Sequence, residues 1–207
     1  MKLPKEEIMN KKDAIFQASC FEFAEHGLAG ARVDRIARAA GVNKAMVYYY
    51  FRSKEALYTN IVNWFFQMLA EAMGQKIQQC ADPEELLTAI AQTYGALFSD
   101  HPFVPRLLLH DLAEGGTRIG EALTRWIASS GLKSKLVSRI QAMVKTGQMR
   151  EMDPRQFVIS FIGMNLMVPL LEKVVAPLWG LSNDAKFRQS RAESIVDLTL
   201  HGVIPRN

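Results

Sequence analysis

Apolar residues recur at spacings of three and four along almost the whole chain, and no segment alternates with period two; this pattern confines the fold to helices packed on helices. Ile15, Phe16, Ser19, Cys20 and Phe23 form one such stripe on the segment from Lys5 to His26, which His26-Gly27 closes. A loop, Leu28 to Ala31, leads to a short helix over Arg32 to Ala40 that turns Val33, Ile36, Ala37 and Ala40 to one side. Gly41 stands where a left-handed residue stops a helix, and Asn43 can accept a hydrogen bond as cap of the next helix, Lys44 to Phe51. Two short helices joined by a turn of about three residues with a glycine have the sequence form of a helix-turn-helix.

The remainder is helical too. Ser53 caps a long segment from Lys54 to about Gln79. Asp82-Pro83-Glu84-Glu85 and Asp153-Pro154-Arg155-Gln156 each combine an acidic cap, a proline at the first helical position and a Glu or Gln beyond it. The spacing predicts helices over Pro83 to Asp100, Pro102 to Glu114, Gly116 to about Gly147 with a candidate break near Gly131, Asp153 to about Val175, and Asp184 to His201. Pro169 kinks or weakens the penultimate one. The expected class is all-α with about nine helices. Tyr48-Tyr49-Tyr50-Phe51 has β propensity, but its place between Asn43 and Ser53 favours a helix held by tertiary contacts.

Charge divides the chain where composition does not. Residues 1–54 hold ten Lys or Arg and six Asp or Glu, and residues 55–207 hold fifteen of each, so the net +4 lies entirely in the first quarter. Between Arg32 and Lys54 six basic residues, Arg32, Arg35, Arg38, Lys44, Arg52 and Lys54, face one acid, Asp34. Such a cluster is the footprint of a surface that meets a polyanion, although Arg35 and Arg38 could equally be solvated side chains. Cys20 and Cys80 have no partner pattern, and the first ten residues lack an apolar signal core. The longest apolar stretch, Phe157 to Leu171, is interrupted by Ser160, Asn165 and Pro169 and is shorter than the roughly 20 residues of a spanning helix. These features predict a soluble, cytoplasmic chain with no membrane partner.

On the helix Lys44 to Phe51, Val47 and Phe51 point in nearly one direction and match the apolar stripes of the two helices before it. The opposite side is centred on Tyr49, with Ala45 and Met46 flanking it and Lys44, Tyr48 and Tyr50 on the borders. A tyrosine offers an apolar ring and a hydroxyl for a phosphate oxygen, and a lysine adds a point charge. Bases are read mainly by the first residues of such a helix, here Lys44, Ala45 and Met46, and either apolar side chain could meet a thymine methyl.

The segment Ala14 to Leu57 resembles the DNA-binding domain of the tetracycline-repressor (TetR) family. The resemblance is carried by Phe23-Ala24-Glu25-His26-Gly27, by Val33-Asp34-Arg35-Ile36-Ala37-Arg38-Ala39-Ala40-Gly41-Val42, by Val47-Tyr48-Tyr49-Tyr50-Phe51 and by Ser53-Lys54-Glu55-Ala56-Leu57. It implies a homodimeric transcription regulator, usually a repressor, that leaves its double-stranded DNA operator when a small molecule enters a larger helical domain. Residues 1–54 are then the DNA-binding domain and residues 55–207 the effector-binding and dimerisation domain. By position, Arg32, Lys44, Ala45, Met46, Tyr48, Tyr50 and Lys54 are the implied DNA contacts, with Tyr49 at the centre of the exposed face; Lys54 would meet a phosphate at a helix N-terminus. Two departures bear on base preference. Ala31-Arg32 stands where the family commonly has two threonines, losing a hydroxyl cap, and Met46 replaces a small polar residue.

Residues 157–175 are apolar on nearly every side, so more than one neighbour must bury them, and a second subunit is the economical supplier. The family's last two helices form a four-helix dimer interface, which puts Phe157, Phe161, Met164, Val168, Leu171, Ile195 and Leu198 at the expected contact. A helix internal to one chain is the other reading. For an apolar or amphipathic effector the candidates are Trp64, Met68, Tyr94, Phe98, Phe103, Trp126, Met143, Met164 and Met167, residues that serve equally as ordinary core. His110, Asp111 and Glu114 could approach one metal ion, yet they make too few ligands for a transition-metal site, and no cofactor is expected. Without a phosphate-cradling glycine loop, a nucleophile elbow or a zinc spacing, an enzyme is not expected. The rival from another class is a helical metabolite-binding or catalytic protein that uses its first three helices only for packing.

Overall fold

The computed structural model describes residues 5–182 and 184–203, with side chains described for 11–74, 76–182 and 184–202. Ten helices and no strand occur among the described residues: α1 (Lys5–Gly30), α2 (Val33–Ala39), α3 (Lys44–Phe51), α4 (Lys54–Gln79), α5 (Pro83–Asp100), α6 (Val104–Ala113), α7 (Thr117–Ser130), α8 (Leu132–Lys145), α9 (Pro154–Trp179) and α10 (Ala185–Val203). The all-α class therefore holds. The tenth helix comes from a break at Gly131, which adopts φ 63° and divides α7 from α8.

Contacts group the chain into two compact units: described residues up to Gln67 with Pro102–Arg125, and Met68–His101 with the described residues from Trp126 onward. In the first, α1 packs on α2, α3 and α6, and Ile15, Phe23, Ile36, Leu57 and Tyr58 are almost fully buried. Phe23 meets the Tyr58 ring edge-on at 5.1 Å, and the Tyr58 hydroxyl donates to Leu107 O at 3.3 Å, which ties α4 to α6. The helical path of α1 breaks at Gly27, with φ 61° and ψ −179°. A Cβ there would sit 3.1 Å from His110 Nδ1, so both backbone and space demand glycine. Asp111, 2% exposed, accepts from the Ile119 N–H at 2.9 Å and caps α7 from α6, with Arg118 beside it. That role occupies the carboxylate weighed above as a metal ligand. Among the described residues no three His, Cys, Asp or Glu side chains are grouped to hold a metal ion.

In the second unit α5, α8 and α10 pack against α9, and α5 lies along α10. Both acidic caps form: Asp82 accepts from the Glu85 N–H and Asp153 from the Arg155 N–H, each at 2.9 Å, with proline in the first turn. Helix α9 departs from expectation in length and in burial. It runs 26 residues through Pro169 and Pro177, because the missing N–H and ring clash distort the path locally, at Leu171 (φ −109°, ψ 20°), without ending it. An 18-residue stretch of it has mean hydropathy 1.7 and is only 11% buried, so by length and composition this one helix could cross a membrane, contrary to the shorter stretch read from sequence.

Candidate nucleic-acid interface

The helix-turn-helix is fixed by short-range bonds that its sequence encodes. At the end of α2 the Val42 N–H returns to Ala37 O at 2.9 Å and the Gly41 N–H to Arg38 O at 3.2 Å, a closure that places Gly41 at φ 65°. Asn43 Oδ1 then accepts from the Met46 N–H at 2.9 Å and starts α3. Val47 and Phe51, at 2% and 5% exposure, anchor α3 in the first unit. The opposite face is wet: Tyr49 is 80% and Tyr48 42% exposed, while Tyr50 is half-buried with its ring edge-on to Tyr49 at 5.2 Å. Ala45 and Lys44 are exposed and Met46 is half-buried.

Cations around this face are not equally free. Arg32 and Arg38 are exposed. Lys44 Nζ lies 2.9 Å from Asp34 Oδ2, and that carboxylate holds its ammonium above the ordinary lysine range. Arg35 is structural: its Nε donates to Glu22 Oε1 at 2.7 Å and its Nη2 to Gly30 O at 2.9 Å. Lys54 Nζ donates to Ala31 O at 3.2 Å and Ala29 O at 3.4 Å, so in the free chain it faces the loop carbonyls. Arg52 links α3 to α4 with φ 64° and ψ −48°, inside a tight turn closed by the Ser53 N–H to Phe51 O at 2.7 Å; this is a rare conformation for a residue with a Cβ.

Glu22 was not among the residues singled out from sequence, and it explains how α2 starts without a threonine cap. Arg32 is the N-cap and makes no side-chain cap bond. Its backbone N–H donates instead to Glu22 Oε1 at 2.8 Å, and the carboxylate, whose side chain is 10% exposed, lies at the positive end of α2. Burial pushes the Glu22 carboxyl up, but the bonds from Arg35 and the Arg32 amide outweigh it and leave the group below its ordinary 4.5. No periodicity signals this contact, since its partners lie ten and thirteen residues away.

The other expected site residues fall into both units. Trp64 stacks on Phe103 at 6.1 Å in the first; in the second, Tyr94 stacks on Phe98 at 6.1 Å, both 7% exposed. Burial pushes the Tyr94 hydroxyl up to about 12. Met143 is fully buried, Met68, Trp126 and Met164 are half-buried, and Met167 is 50% exposed. Of the expected dimer positions, Phe161 and Ile195 are sealed inside their own chain at 2%, Phe157, Met164 and Val168 are half-buried, and Leu171 and Leu198 are exposed. Ile159, Val174, Leu178 and Trp179 are more exposed still and had not been singled out for contact.

Residues 15–61 match the family model described as bacterial regulatory proteins, tetR family, a span that includes α2, the turn and all of α3. The HTH-type transcriptional regulator RutR of Escherichia coli O157:H7 is 25% identical over 197 residues, covering 95% of this chain and 92% of RutR. The chain is similar to TetR-family regulators. The HTH-type transcriptional repressor SCO4008 of Streptomyces coelicolor is 36% identical over 106 residues, 51% of this chain and 52% of that one. The structure of the regulator FadR from Bacillus subtilis in complex with stearoyl-CoA shares the fold, with TM-score 0.72 and 20% identity over 92% of this chain and 98% of FadR. With this DNA-binding domain and a named regulator matched over nearly its whole length, the chain is a DNA-binding transcriptional regulator whose helix-turn-helix is α2 and α3. The rival metabolite-binding or catalytic reading loses its main support with that match.

Proposed function

We infer that this regulator is a homodimeric repressor that grips a double-stranded operator through residues 1–54 and lets go when a small apolar or amphipathic molecule binds within residues 55–207. The observation that carries the reading is Tyr48 and Tyr49 standing in solvent beside Lys44 on a capped, core-anchored helix. Large rings left in water on a rigid helix gain when a groove covers them, and their hydroxyls remain able to bond phosphate. Arg32, Lys44, Ala45, Met46, Tyr48, Tyr49 and Tyr50 are the proposed contacts, with base reading assigned to Ala45 and Met46.

The exposed side of α9 supports the dimer. Ile159, Met167, Leu171, Val174 and Leu178 follow one another at intervals of eight, four, three and four residues, so they lie on one helix face, and each is at least 42% exposed. A second copy applied about a two-fold axis would cover that face and set two α3 helices about one DNA turn apart, roughly 34–36 Å. The aromatic and methionine residues support an apolar effector, as does the acyl-CoA bound to FadR. A soluble cytoplasmic regulator without enzymatic activity is the setting this implies.

The test is a gel-shift titration of DNA upstream of the protein's own gene, followed by a library of apolar compounds added to the preformed complex. Saturable, sequence-dependent retardation that selected compounds reverse is the expected result. Weak binding that ignores sequence would remove the regulatory reading, and a complex that no compound releases would remove the effector.

A further inference from the structure

Position 32 is the N-cap of α2 and carries a cation, two properties that oppose each other. An arginine has no side-chain acceptor to offer a helix start, and its charge faces the positive end of the helix dipole. Arg35, in the first turn of α2, adds a second cation there. The missing acceptor comes from another helix. Glu22 stands on a stretch of α1 whose Cys20, Phe23 and Ala24 are buried. Its Oε1 accepts from the Arg32 N–H at 2.8 Å and from Arg35 Nε at 2.7 Å, with Arg35 Nη2 at 2.6 Å, while Oε2 faces His26 Nε2 at 3.8 Å. A carboxylate that reaches back to the N-cap amide is half of a capping box, supplied here from ten residues upstream instead of from within the helix. The backbone of Arg32 is thereby held while its side chain is left out. Its guanidinium is exposed and makes no hydrogen bond or ion pair among the described residues. A serine or threonine at this place would fold its hydroxyl back onto the helix.

We propose that Glu22 is a positioning residue for DNA recognition: by capping α2 from α1 it relieves residue 32 of that task and aims the Arg32 guanidinium at the duplex. The proposal rests on the reading of Arg32 as a DNA contact but concerns a residue that does not itself meet DNA. The Glu22 side chain is only 10% exposed, and its charge would repel a phosphate. Arg35 stays with the protein, pinned by the same carboxylate and by Gly30 O. The effect of Glu22 on binding therefore passes through Arg32, and losing the carboxylate weakens binding only while an arginine stands there to be aimed. A residue that merely held the helix-turn-helix together would weaken binding whatever occupied position 32.

The test is a double-mutant cycle on the full chain with a duplex that it selects from a random pool. Arg32→Ala should weaken binding about tenfold and lower the dependence of affinity on salt by about 0.9. Glu22→Ala should also weaken binding about tenfold, and in the free protein it should speed hydrogen exchange at the Arg32 amide about tenfold. The double variant should bind about as well as Arg32→Ala alone, about tenfold below the native chain, whereas independent effects would multiply to about a hundredfold. Combined with Lys44→Ala, the Glu22→Ala loss should multiply, which shows that weaker binding still registers. A hundredfold loss in the Glu22, Arg32 double variant overturns the proposal, and so does unchanged exchange at Arg32. A salt dependence that steepens by about 0.9 in Glu22→Ala also overturns it, since Arg35 would then have been masked from the duplex. Arg32→Ala binding like the native chain, or a native chain that selects no duplex, refutes the DNA contact on which the proposal rests. Circular dichroism guards against unfolding, and if Glu22→Ala does not fold, Glu22→Met, which keeps the bulk of the side chain without an oxygen, takes its place.

Discussion

The face of α3 and the face of α9 both leave large side chains in water, but the groups they expose differ in what they can bond. On α3 the exposed rings carry hydroxyls and stand beside Lys44, Asp34 and the exposed Arg32, with the helix pinned beneath by Val47 and Phe51. On α9, Ile159, Val174 and Leu178 are 65%, 66% and 73% exposed and offer no polar atom. The first surface gains from a polyanion that also accepts hydrogen bonds; the second gains only from another apolar surface. On the proposed function, one helical chain separates nucleic-acid recognition from self-association by the polarity of two exposed faces rather than by how much apolar surface each leaves uncovered.

The largest effect should come from charging the apolar face. Val174→Glu would lose an aliphatic contact and bury an unpaired carboxylate against a second copy, weakening self-association about 100-fold or more, to be read by sedimentation. A variant that sediments like the native chain would separate this face from dimerisation, and binding to lipid vesicles by the native chain would assign it to a membrane. Next, Tyr49→Ala should leave the melting temperature within experimental error, because the ring is 80% exposed, yet weaken operator binding about tenfold, the value of one hydrogen bond to a charged acceptor. A matched loss of stability and binding would make the tyrosine a packing residue and erase the contrast between the faces.

The legibility of the two regions from sequence differed for a physical reason. Caps and turns are local: Gly41, Asn43, Ser53, Asp82 and Asp153 each act within a few residues of themselves, and all five act as their residue types predict. The exposed side of α3 was legible because its other side is apolar at one helical spacing. On α9 every side is apolar, so no polar contrast shows which residues remain bare, and Phe161 and Ile195 turn out to be sealed while Val174 and Leu178 are open. Contacts across the chain left no local trace at all. Glu22 reaches the start of α2 from α1, and Asp111 caps α7 from α6.

Two smaller effects sharpen the account of α2 and α3. The Glu22 carboxyl lies below its ordinary 4.5 in the folded chain, so its contribution to stability is complete above that value and fades as pH falls through the lower folded one. Glu22→Gln should therefore be less stable than the native chain at neutral pH and lose less on acidification, as thermal melts between pH 3 and pH 7 would read; parallel pH curves would contradict the clamp on α2. The smallest expected change is a gain. Arg52→Gly relieves a positive φ of 64° and should raise stability by about 1 kcal/mol in denaturant melts, while a decrease would mean that the turn is unstrained.

Hydroxyl-radical footprinting of the native protein on a duplex selected from random sequence tests the central claim most directly. The account predicts two protected patches on one side of the helix, their centres about one turn or 34–36 Å apart, both lost in the Tyr48→Ala, Tyr49→Ala double variant that still folds. Protection that ignores sequence, or that survives removal of both rings, would contradict it.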